Sequence, residues 1–180
     1  MTRSRGANGL RHQRSNAISQ ASETPALPAE IARLLDGTRL EQRTGHVFEL
    51  LTVSDAGWPH VALLSVGELL AVGANRLMMA LWPTTNTTAN VRRSGRAVLQ
   101  LYHDGAAYRT RLDCRGLDDA LVEGTQLAVF DCRVEQVQRD AVHYANLTSG
   151  PRIELADRRK VVDRWAATIA VLRELSRAGG

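Results

Sequence analysis

The chain has 180 residues, 44% of them hydrophobic, which suits one globular domain with a real core. No run reaches the ~18 apolar residues of a membrane span, and the N-terminus lacks an apolar signal-peptide core, so a cytoplasmic protein is expected. Of the net charge of +4, residues 1–24 carry +3 through Arg3, Arg5, Arg11 and Arg14 against Glu23; residues 25–180 are almost neutral, which argues against a nucleic-acid-binding fold.

Residues 1–24 lack apolar periodicity and read as a disordered basic tail, with a nucleic-acid-sticking arm as its one functional alternative. The rest reads as one domain over 25–180. A first helix is predicted over 25–35, with Ile31, Leu34 and Leu35 on one stripe and Gly37 beyond its end. Strands over 46–53 and 58–65 flank a turn at Ser54–Gly57 and form a β-hairpin. Residues 67–70 read as a short helical turn, and 76–82 as a third strand.

Residues 81–101 (LWPTTNTTANVRRSGRAVLQL) carry the densest signal. A strand ends at Trp82 and Pro83, and a bend of small polar residues, Thr84 to Thr88, leads into a short helix. Thr85 or Asn86 is the N-cap, Arg92 and Arg93 suit the negative helix end, and Gly95 suits the left-handed stop. A helix start lined with hydroxyls and bare amides can hold a phosphate; the plainer reading is a well-capped connector between strands.

A fourth strand covers 96–102, Asp104-Gly105 marks a tight turn, and 106–115 alternates with Tyr108, Thr110, Leu112 and Cys114 on one face. Residues 116–124 read as a polar connector and 125–137 as a long strand with Ala128, Phe130, Cys132 and Val134 inward. Asp157 caps a final helix reaching about Ser176, its stripe formed by Val161, Val162, Trp165, Ile169 and Leu172. Cys114 and Cys132 form no close pair in sequence and read as reduced core residues. No histidine, cysteine or carboxylate spacing indicates a metal, and no nucleophile–base pair indicates a catalytic residue. Lys160 is the only lysine, so a lysine phosphate clamp has almost no candidates.

The order hairpin, strand, Thr/Asn-rich bend, Asn-x-Arg-Arg helix, strand, hairpin resembles the FMN-binding split barrel of the pyridoxamine 5′-phosphate oxidase-like superfamily. The carrying segments are 57–64 (GWPHVALL), 81–83 (LWP), 85–93 (TNTTANVRR), 95–99 (GRAVL) and the helix with 161–165 (VVDRW) and 172–175 (LREL). The resemblance implies a mainly β fold with flanking helices, a six-stranded antiparallel split β-barrel, forming a homodimer with FMN in an interface groove. It implies oxidation or reduction of an unidentified small molecule. By position it assigns cofactor contacts to His60, Ala62, Trp82, Pro83, Thr84, Thr85, Asn86, Thr87, Thr88, Arg93, Gln100 and Arg109.

The family's lysines and arginines at the phosphate are replaced by His60, Ser65, Asn86 and Thr87. Neutral donors bind an anion roughly half as strongly as charged ones, so FMN affinity should fall unless Arg93, Arg96, Arg109 or Arg111 supplies charge. The arginine-rich C-terminal signature of true vitamin B6 oxidases is also absent, so that activity is not expected. The alternative is a non-enzymatic barrel whose degenerate pocket holds another flavin-type cofactor, haem or nothing. Several of these residues, and Arg111, also have a structural reading: Trp82 as core, His60 as a half-buried strand residue, Arg109 and Arg111 as a solvated face, Arg93 as a helix-dipole partner and Gln100 as outward-pointing. The lack of an apolar span predicts no membrane partner, and the near-neutral domain argues against a nucleic-acid partner.

Overall fold

A computed structural model describes residues 19–22, 25–141 and 144–178. Its frame is one antiparallel sheet in the order β3-β2-β6-β7-β9-β5-β4, curling through about 202° into a half-barrel. The strands are β1 (Ser19–Ser22), β2 (Val47–Val53), β3 (Pro59–Ser65), β4 (Leu69–Ala71), β5 (Arg76–Leu81), β6 (Arg96–His103), β7 (Ala106–Gly116), β8 (Ala120–Val122) and β9 (Thr125–Asp140). The helices are α1 (Ala29–Leu34), α2 (Asn86–Ser94) and α3 (Arg158–Ala178).

The mainly β split barrel is as expected, but nine strands replace six among the described residues. The predicted helical turn at 67–70 is strand β4, because Leu69, Leu70 and Ala71 pair with Met79, Met78 and Leu77. The predicted connector at 116–124 contains β8, which folds back on the start of β9. Both are three-residue strands, too short for periodicity to register. Most of 1–24, the expected disordered tail, lies outside the described residues. Within it, Ser19–Ser22 forms β1 along Val137–Asp140 of β9, beyond the point where β5 stops pairing.

Turn chemistry sets the registers. Asp104 and Gly105 both have positive φ (45° and 72°), the pair of left-handed residues that a two-residue hairpin needs. The β7–β9 register shifts between Arg111 and Leu112, where Glu135 is the extra residue of a bulge. Burial follows the alternation: Leu50, Leu64, Leu99, Leu101, Leu112, Phe130 and Val134 face the barrel core, plugged by Ile31, Leu34 and Leu35.

From Leu77 to Leu81 β5 is apolar without a break because both of its faces are covered. Leu77, Met79 and Leu81 face the barrel, whereas Met78 and Ala80 meet Ile169 and Leu172 of α3 in a second core. Helix α3 starts where Asp157 Oδ1 accepts the Lys160 amide at 3.0 Å. No helix among the described residues is long and apolar enough to cross a membrane.

The cysteines are core residues as expected, and strand pairing makes them neighbours. Cys114 of β7 lies directly opposite Cys132 of β9. The Cys114 amide donates to Gly95 O at 2.7 Å, so its hydrogen-bonding edge points to the other side and the cysteines form a non-hydrogen-bonded pair, the closer kind. Both are free and buried, and interaction with Cys114 together with burial holds the Cys132 thiol well above its ordinary pKa. Residues eighteen apart become neighbours through strand pairing, which spacing alone does not reveal.

Candidate anion site at the start of helix α2

Thr85 is the N-cap of α2, with extended φ/ψ (−86°, 154°), and its Oγ1 accepts the Thr88 amide at 3.2 Å. Two hydroxyls secure the bend below it: Thr85 Oγ1 donates to Trp82 O at 3.1 Å and Thr88 Oγ1 to the same oxygen at 2.7 Å. Gly95 closes the helix at φ 64° and donates its amide to Val91 O. Of the first-turn amides, Thr88 is therefore used by the cap, while those of Asn86 and Thr87 have no partner in the chain among the described residues.

His60 of edge strand β3 reaches this turn, with Nε2 3.0 Å from Thr87 Oγ1. One turn on, Asn90 Nδ2 donates to Thr52 Oγ1 of β2 at 3.0 Å, and both residues are buried. Arg93 donates to Val53 O, and Arg92 pairs with Asp119 at 2.7 Å. Helix α2 is thus fixed to the β2–β3 hairpin through polar side chains along one flank. Ala62 sits half-buried on the same face of β3 as His60, and Pro83 and Thr84 form the bend.

The other predicted residues lie on the opposite face of the sheet. Gln100 pairs across strands with Glu49, whose parity is opposite to that of Thr52, the partner of His60. There Glu49 Oε2 accepts from Gln100 Nε2 (2.7 Å) and Tyr102 Oη (2.9 Å), and Arg109 Nε donates to Gln100 Oε1 (3.2 Å). Arg109 also forms an ion pair with Asp140. Burial and the Glu49 carboxylate raise the Tyr102 phenol above its usual value. The twelve predicted positions therefore form two groups. His60, Ala62, Trp82 to Thr88 and Arg93 gather at α2, and Gln100 with Arg109 belongs to an outer-face network.

Beside that network runs an open groove of about 830 Å3, lined by Leu51, Val53, Pro59, Val98, Arg96 and Arg111 among others. Val53, Val61 and Leu63 are 50%, 52% and 57% exposed on the same outer face of β2 and β3. Sequence reasoning missed Thr52, Asn90, Glu49 and Tyr102; only Glu49, a charge alternating with apolar neighbours in a strand, carried a local signal.

The site at α2 can accept an anion. Two amides without a partner among the described residues lie at the helix start, beside the His60 imidazole, and no carboxylate among the described residues hydrogen-bonds this turn. These residues fit a phosphate through neutral dipoles and one imidazole, without an arginine or lysine clamp.

No family model matches the chain. It is 39% identical over 140 residues to the uncharacterized protein YclD of Bacillus subtilis strain 168, a match spanning 78% of this chain and 91% of YclD. Among solved structures, a candidate pyridoxamine 5′-phosphate oxidase from Lactobacillus delbrueckii superposes with a TM-score of 0.52 at 18% identity, over 65% of this chain and 97% of that one. An FMN-binding protein from Syntrophomonas wolfei gives 0.43 at 16% identity, over 63% and 90%. With the strand order and the capped α2 already described, the chain belongs to the family of YclD and has the split-barrel fold of the pyridoxamine 5′-phosphate oxidase-like superfamily.

Proposed function

We propose that this protein binds the phosphate of FMN at the start of α2 and serves as a flavin-dependent oxidoreductase for a small molecule other than a B6 vitamer. The observation that carries the reading is the pair of unpartnered amides, Asn86 and Thr87, beside His60 on a flavin-binding type of fold. A bound flavin would supply the electron transfer, and the chain's part is to bind and orient it. The amides and His60 hold the anionic end, while the fixed Trp82–Thr88 bend keeps that end rigid.

The reading includes a homodimer. The outer face exposes Val53, Val61 and Leu63 together, an apolar patch that a second copy would cover. In such a dimer the Gln100–Arg109 network of one subunit would meet the partner, which explains why the assigned residues separate into two groups within one chain.

The neutral character of the anion site favours one second reading: a barrel that holds its ligand without turnover. Absorption spectroscopy and FMN titration test the first reading. A yellow protein, or quenching of FMN fluorescence at micromolar protein, is expected. Protein that stays colourless in excess FMN would remove the flavin assignment. Rapid FMN-dependent oxidation of a nicotinamide donor would remove the second reading.

A further inference from the structure

Glu68 is a half-buried carboxylate beside Ala80 of β5 and Trp165 and Thr168 of α3, and the cofactor site does not use it. Its Oε2 accepts the Ser65 amide at 2.6 Å, and its backbone is tied to β5 through the Ala80 amide, two residues before Trp82. The charged group facing it among the described residues is Arg164 of α3, which acts on it through space. Arg164 also places its guanidinium 5.7 Å from the Trp82 ring centroid. Both side chains border the same small void of about 20 Å3 with Trp82, Trp165 and Thr168. Trp82 in turn supplies the carbonyl that accepts both threonine hydroxyls of the α2 cap.

We propose that Glu68 and Arg164 are positioning residues: the Glu68 carboxylate, on the same void, orients the guanidinium, the guanidinium holds the Trp82 ring, and Trp82 fixes the first turn of α2. The C-terminal helix thereby sets the shape of the candidate anion site. The effect on α2 stands on the Arg164–Trp82 stack and the two hydroxyl bonds to Trp82 O; only its consequence for FMN rests on the proposed function.

A cation over an indole face is favourable within about 6 Å, most of all when partly desolvated. Arg164 is half-buried against α3's own packing, so its fork is pre-organised. Trp82 is 45% exposed, so packing encloses its ring only in part and the Arg164 stack helps to define its position. Burial raises the Glu68 carboxyl above the ordinary range, so its charge, and its hold on Arg164, changes at a higher pH than that of a surface glutamate.

The test uses the full chain. The Trp82 indole N–H resonance is identified by its loss in Trp82→Phe, and hydrogen exchange is followed over residues 84–88. Glu68→Gln and Arg164→Gln should shift the indole signal and speed exchange of the Thr88 amide, with Arg164→Lys recovering part of both. The wild-type signal should titrate with pH above the ordinary glutamate range, and that titration should vanish in Glu68→Gln. A purely structural role would lower the melting temperature without a Trp82 titration, and that result overturns the proposal. Unchanged signal and exchange in both variants overturn it as well.

FMN titration is the separate arm: a loss of about three- to tenfold in affinity is expected for Arg164→Gln, the size of one such stack. If wild-type protein binds no FMN while the indole and exchange results hold, the flavin reading fails and the positioning role stands. If the wild type binds FMN and Arg164→Gln binds it equally well, the influence on the site is overturned.

Discussion

His60 Nε2 lies 3.0 Å from Thr87 Oγ1, joining the edge strand β3 to the first turn of α2 across 27 residues of sequence. The pair places an imidazole next to two unpartnered amides, and it also makes Thr87 structural. Thr87 is only 4% exposed. An acid there would bury a carboxylate against the barrel and cost stability as well as binding.

Asn86 is the cleaner position, because it is exposed and is the first residue of α2. Asn86→Glu should stabilise the helix by about 0.3–1 kcal/mol through its dipole, while repelling a phosphate at the same amides. The expected outcome is an unchanged or slightly raised melting temperature with FMN affinity down more than about tenfold, a loss of ~1.4 kcal/mol. Equal FMN binding by this variant would place the ligand elsewhere.

Leu63 is 57% exposed at the centre of the outer face of β3. Leu63→Arg should convert a dimer to a monomer in sedimentation velocity, with monomer stability within about 0.5 kcal/mol, since a surface change away from the core costs little. A wild-type chain that already sediments as a monomer at tens of micromolar would end the homodimer reading.

The Glu68 carboxyl has a folded-state pKa raised chiefly by burial, with the Ser65 amide and Arg164 opposing. Between the unfolded and folded values the native state binds the extra proton. Stability is therefore fully present below the ordinary glutamate pKa and falls as pH rises through the folded one. Glu68→Gln should flatten this dependence, because the amide oxygen still accepts from Ser65 and no charge is buried. Urea unfolding across pH 4–8 measures it; a wild-type curve identical to that of the variant would contradict the assignment.

Gly67 tests the seat of α3. A Cβ there would lie 2.0 Å from Trp165 Cγ, and Trp165 is buried. The clash comes from close approach rather than from backbone conformation. Gly67→Ala should cost about 3 kcal/mol in urea unfolding, and unaltered stability would mean that α3 is seated differently.

Local chemistry was legible wherever one segment decided its own conformation. The hairpin turns at Gly57 and Asp104-Gly105, the cap and stop of α2, the alternation of β7 and the stripe of α3 all follow from φ preferences, hydroxyl caps and periodicity. The fold class followed from their order. Strands β4 and β8 did not, since three residues carry no period and their pairing partners supply the signal.

What only the tertiary structure decided is adjacency. It set Cys114 opposite Cys132, put Gln100 and Arg109 on the far face from His60, and gathered Glu68, Arg164 and Trp82 at one corner. Each of these depends on register and on which face of a strand a helix covers. A one-residue slip would reverse every one of them without changing any local preference. The sequence by itself determined the elements and the capped turn that can receive an anion; the sheet's pairing decided which side chains surround it.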